Sequence, residues 1–146
     1  YMNEEPVCIL VRDFNPDYDY PNCENNHINI PPEFYEKSID ILGRDRMYII
    51  CSNNIEQTKK QNVFQGDNFI FNEVVPHDIY KGHFDLCLIS KCQDFIVSNS
   101  TFGWWGAWLG TGEGKRVILP TPWYGPGLSY INTDDLYPDE WEKIEW

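Results

Sequence analysis

The sequence predicts an α/β fold, a parallel sheet flanked by helices, and three observations carry that reading. Short apolar runs recur along the chain and are apolar at nearly every position, as strands buried on both faces are. Segments with helical spacing separate them. Several runs end in a cluster of Ser, Asn or Thr that can cap the next helix.

The first run is Pro6-Val7-Cys8-Ile9-Leu10-Val11, which stops at Arg12-Asp13. Residues 13–31 are rich in Asp, Asn, Pro and Tyr without sustained periodicity and predict a long loop, a class of segment that is often functional. Pro32-Glu33 opens a helix whose apolar face is Phe34, Tyr35, Ser38, Ile39, Ile41 and Leu42, with Gly43 as its stop. Arg46 to Cys51 is the second strand, and Ser52-Asn53-Asn54 caps a polar helix from Ile55 to Lys60. Asn68 to Phe71 predicts a third strand. His77 to Lys91 is apolar enough for an internal helix, Asp94 to Ser98 is a fourth strand, and Asn99-Ser100-Thr101 caps a helix through Leu109. Arg116 to Leu119 is a fifth strand. A Pro/Gly/Trp-rich tail follows, and its acidic end, Asp134 to Trp146, reads as an amphipathic cover. Strands alternating with helices give one Rossmann-like domain over residues 1–146, with the first strand central and near the fourth.

Composition narrows the partners. The 146 residues carry a formal net charge of -12, so a nucleic acid or an anionic membrane surface is disfavoured. No apolar run approaches the roughly 18 residues of a membrane span. The five cysteines form no C-x-x-C pair, and Cys8, Cys51, Cys87 and Cys92 lie in apolar contexts, so the reading is buried free thiols in a reducing, cytoplasmic setting. An upstream anchor would move that expectation to a Golgi lumen, with membrane contact only through a segment outside this chain.

Ligands of open α/β sheets bind beyond the carboxyl ends of the strands. Arg12-Asp13, Ser52-Asn53-Asn54, the approach to Asp85, and Ser98 to Thr101 all converge on that edge. The first-turn N–H groups of the helix after Ser98 lack internal partners and carry partial positive charge, so they and the Ser100 and Thr101 hydroxyls can take a phosphate. The alternative is that Asn99 or Ser100 simply caps a core helix. Arg12 offers a permanent cation with a planar fork of donors, suited to a pyrophosphate; the alternative is a pair with Asp13 or another surface carboxylate. Trp104, Trp105, Trp108 and Leu109 have the spacing of an aromatic core, with Trp104 or Trp105 available to shape a pocket wall. Asp17-Tyr18-Asp19 matches a D-x-D metal pattern, but solvated loop carboxylates are the better reading. His27, His77 and His83 have no metal spacing, and no nucleotide-binding glycine motif is present.

The stretch Asp85 to Cys92 followed by Phe95 to Leu109, with its Ser98-Asn99-Ser100-Thr101-Phe102-Gly103-Trp104-Trp105 core, resembles the signature of the α-1,2-fucosyltransferase family. Val117 to Pro120, Trp123-Tyr124 and Pro138 to Trp141 resemble its closing segments. The resemblance spans nearly the whole chain and only the C-terminal half of a typical member. It implies one lobe of a GT-B-type glycosyltransferase that moves L-fucose from GDP-fucose to a hydroxyl of a glycan acceptor, inverting and without a metal or other cofactor. It also implies that Arg12, the first arginine of the family's H-x-R-R-G-D-Y motif, meets the donor's β-phosphate. Ser100 and Thr101 would touch the pyrophosphate, and Asp85 and Ser52 to Asn54 the guanosine. Asn99 and Phe102 join the donor-binding set. The motif's histidine and second arginine are replaced by Leu10 and Asp13. For the general base, Asp13, Asp17, Asp19 and His27 remain open. Two alternatives stand beside the transferase: a donor-binding domain without activity of its own, and a metal-dependent glycosyltransferase built on Asp17 and Asp19.

Overall fold

The computed structural model describes residues 5–17, 19–73 and 81–146. Strands β1 (Val7–Val11), β2 (Tyr48–Ser52), β3 (Phe69–Phe71), β4 (Asp94–Val97), β5 (Val117–Thr121) and β6 (Glu142–Glu145) form one sheet in the order β3-β2-β1-β4-β5-β6. Every pairing is parallel. The helices are α1 (Cys23–Asn26), α2 (Pro32–Leu42), α3 (Ile55–Thr58), α4 (Lys81–Ile89) and α5 (Thr101–Trp108). The α/β expectation holds, with β1 in the centre and hydrogen-bonded to both β2 and β4.

Alternation along each strand divides the apolar residues between two layers. Val7, Ile9, Tyr48, Ile50, Ile96 and Ile118 pack with Phe34, Tyr35 and Ile39 of α2. Cys8, Leu10, Ile49, Cys51, Phe95 and Val97 pack on the other face with Ile89 of α4 and Ala107 of α5. A continuous apolar run is therefore what each central strand requires.

Helix α5 lies very close to the sheet because its inward side is made of small residues. A Cβ at Gly103 would sit 2.9 Å from Val97 Cγ1 and 3.2 Å from Leu10 Cδ2, and one at Gly106 would collide with Ile89. Trp105 and Trp108 point the other way, so the aromatic-core expectation is corrected for them, whereas Trp104 packs against the core of this layer. Trp105 and Trp108 are 54% and 51% exposed and Leu109 is 50% exposed, while Trp104 is half-buried against Trp108 and Trp141. Lys115 fastens the far end of α5, donating from Nζ to the carbonyls of Ala107, Trp108 and Gly110 at 2.8, 3.0 and 2.8 Å.

Other expectations shift in detail. The long loop contains the short helix α1. The acidic tail supplies β6, whose residues alternate between half-buried and exposed, where a cover was expected. Ile41 faces solvent, and of α4 only Ile89 is buried among its described side chains. His77, Ile79 and Tyr80 lie outside the described residues. All five cysteines are free, but Cys23 is buried and Cys87 exposed, the reverse of their sequence contexts. No described helix is long and apolar enough to cross a membrane. At the amino edge of the sheet, the buried Asp94 pairs with the Arg46 guanidinium and accepts the Arg116 N–H at 2.6 Å.

Candidate functional site

The chain leaves β1 toward β2 on one side and leaves β4 toward β5 on the other, so a crevice opens between the carboxyl ends of these two neighbouring strands. A cavity of about 410 Å³ occupies that position. Leu10, Val11 and Cys51 floor it, and Arg12, Ser52, Asn53, Asp85, Ser98, Ser100 and Phe102 supply its other walls with Gly82. Four segments expected to converge from the sequence alone do converge.

Arg12 is held from several sides. Its N–H donates to Ser98 Oγ at 3.1 Å, tying the end of β1 to the end of β4. Its guanidinium pairs with Asp19 and lies 4.8 Å over the Phe14 ring. Phe14 stacks on His27 at 4.7 Å, and His27 meets Tyr124 at 5.6 Å. Burial and then the Arg12 charge lower the His27 pKa, which keeps the imidazole neutral at pH 7. Asp19 is thus no solvated loop carboxylate, since its side chain is 19% exposed and also accepts the Asn15 N–H at 3.0 Å. Asp17 stays exposed, Tyr18 lies outside the described residues, and no group of three potential metal ligands occurs among the described residues. The D-x-D pair is split by these different environments.

At the front of α5, Ser100 occupies the N-cap position with extended backbone, yet its side chain makes no capping bond. Its hydroxyl therefore lines the cavity beside the unpaired N–H groups of the first turn. Phe102 lines the same cavity and is 41% exposed. Thr101 is exposed outside the lining. Asn99 is also outside it, only 3% exposed, with Nδ2 donating to the carbonyls of Ile28 and Trp123 at 2.9 and 3.2 Å. That side chain fastens two loops together instead of facing the crevice. Trp104 and Trp105 are not in the wall either; Trp104 Nε1 donates to the Leu136 carbonyl.

On the β2 side, Asn53 and Asn54 grip the loop that follows β1. Asn53 accepts the Asp13 N–H at 2.8 Å and donates to the Asp13 carbonyl at 2.8 Å. Asn54 donates to the Asp13 carboxylate at 2.6 Å while its own oxygen caps α3. Asn54 consequently has its polar atoms committed and does not line the cavity. Asp13, standing where the related motif has an arginine, is a loop anchor in this chain. Ser52 Oγ accepts from the Asn54 N–H at 3.0 Å and donates to Thr58 Oγ1 at 2.9 Å, because Thr58 gives its one proton to the Asn54 carbonyl at 2.8 Å. Across the cavity, Asp85 accepts from Nδ2 of the buried Asn72 at 2.8 Å. Phe14 and Asn72 carried no individual signal in the sequence, and Asp19 carried one only for a metal or a base, not for its pairing with Arg12.

Comparison with known proteins bears on what this crevice serves. Residues 3–145 match the model of Glycosyl transferase family 11. Among curated proteins, the chain is 30% identical over 128 residues to the O-antigen biosynthesis glycosyltransferase WbnK of Escherichia coli, covering 85% of this chain and 40% of that protein. It is 32% identical over 102 residues to an alpha-1,2-colitosyltransferase of Escherichia coli, covering 68% of this chain and 33% of that protein. The chain thus spans well under half the length of these relatives. No solved structure matches it.

Proposed function

The chain belongs to glycosyl transferase family 11, and from that premise we propose that it is the donor-binding lobe of a GT-B-type glycosyltransferase. The proposed reaction moves L-fucose from GDP-fucose to a sugar hydroxyl of a galactoside-type acceptor in α-1,2 linkage, with inversion. One observation carries the proposal: Arg12 and the N-terminus of α5 open onto the same cavity at the topological switch point.

Breaking the bond from sugar C1 to the phosphate oxygen leaves an oxocarbenium-like sugar and an anionic nucleoside diphosphate. The Arg12 guanidinium, the first-turn amides of α5 and the Ser100 hydroxyl would stabilise that leaving group, and this positive charge is fixed in the fold before reaction. A divalent cation is therefore not needed for that role. Asp85, with its carboxylate set by Asn72, would accept from the N–H groups of the guanine, and Ser52 and Asn53 lie on the same side. None of Asp13, Asp17, Asp19 and His27 is among the residues that line the cavity.

The test is calorimetric titration of GDP-fucose with and without EDTA, followed by turnover with a galactoside acceptor. Binding that persists in EDTA, with fucose transfer, is the expected result. Binding in EDTA without transfer to any acceptor would favour a donor-binding domain inactive on its own. Binding that requires a metal would favour the reading built on Asp17 and Asp19.

A further inference from the structure

We propose that Asp19 and Phe14 are positioning residues that fix the Arg12 guanidinium in its diphosphate-binding orientation. The inference rests on the donor-site reading above and adds to it the part of the chain that aims the cation.

An arginine side chain has several freely rotating bonds, and ordering it when a ligand arrives costs rotamer freedom. Here that ordering is built in. Asp19 holds the guanidinium through Nη2, leaving the remaining N–H groups for another acceptor. The Phe14 ring covers one face at 4.8 Å. Both partners are themselves fixed. Asp19 Oδ2 accepts the Asn15 N–H at 3.0 Å, and the Asp19 N–H donates to the Asn15 carbonyl at 2.9 Å. Phe14 is clamped by Asn29, which accepts its N–H at 2.7 Å and donates to its carbonyl at 3.1 Å. His27 stacks on the ring at 4.7 Å.

The consequence runs against simple charge arithmetic. Removing a carboxylate beside an anion site should tighten anion binding, whereas loss of a positioning group should loosen it. Calorimetric titration of GDP and of GMP into the wild-type chain, Asp19→Asn, Arg12→Ala and the double variant separates the two. The expected result is an about tenfold weaker GDP affinity for Asp19→Asn with GMP affinity unchanged. In the Arg12→Ala background the same substitution should change nothing, because Asp19 acts only through that side chain. Phe14→Leu should repeat the GDP-selective loss, and it carries the test if Asp19→Asn fails to fold. Unchanged or tighter GDP binding, an equal loss of GDP and GMP, or a loss that persists without Arg12 would overturn the proposal. If Arg12→Ala binds GDP as the wild type does, it is the donor-site reading that fails.

Discussion

The backbone N–H of Arg12 donates to the Ser98 hydroxyl at 3.1 Å, joining the residues that directly follow two adjacent central strands. The residue that brings the cation and the residue that leads into the N-terminus of α5 are thereby held in one frame. Ser98 is fully buried, so Ser98→Ala leaves the Arg12 N–H without this acceptor. We expect a stability loss of about 1–3 kcal/mol, measured by urea unfolding. Weaker GDP binding should accompany it, since the Arg12 backbone loses its tether.

Lys115 caps α5 from the opposite end, where three carbonyls converge on one ammonium group. Lys115→Met keeps the length and apolar stem but removes the donors and the charge that complements the helix C-terminus. A loss of about 1–2 kcal/mol is expected, with the thermal midpoint falling accordingly.

At the amino edge, Arg46 is the charged partner of Asp94, which is 5% exposed. Arg46→Met strands that carboxylate with one remaining donor, the Arg116 N–H. The unfolding free energy should drop by about 3 kcal/mol. Asp94→Asn in the same background should recover part of the loss, because a neutral amide is less costly to leave without a cation.

His27 gives a pH dependence with a defined sign. Its pKa in the fold lies below the ordinary 6.5, through burial and the neighbouring Arg12 charge. The unfolded chain therefore binds the proton more readily, and stability from this group, fully present above pH 6.5, declines as pH falls through the folded-state value. His27→Gln should flatten the difference between urea midpoints at pH 7.5 and pH 5.5. An unaltered difference would assign the acid sensitivity to other groups.

Much of this fold was legible in the sequence, and the misses share a cause. The central strands could be read because burial on both faces demands unbroken apolar runs such as Val7 to Val11. β6 could not, since Glu142-Lys143-Ile144-Glu145 is a half-exposed edge strand with little apolar content. In α5 the tryptophans drew attention as core, yet Gly103, Gly106 and Ala107 form the buried side. Tight helix-to-sheet approach needs small residues, and large ones are then left outside. The lining of the cavity was legible where local sequence sets it, as at Arg12, Ser98 and Ser100. The contacts of Asp19 and Asn72 were not legible, since they depend on side chains brought together by folding, nor were those of Asn99, whose neighbours Ile28 and Trp123 come from distant loops.

Titration of GDP into the wild-type chain and Arg12→Ala, both in EDTA, tests most directly whether a fixed guanidinium and the α5 amides share one diphosphate. Loss of the charge-assisted contact should weaken binding by about 1.5–3 kcal/mol in the variant, with no change on adding a divalent cation to the wild type. Equal affinities for the two proteins would contradict the account.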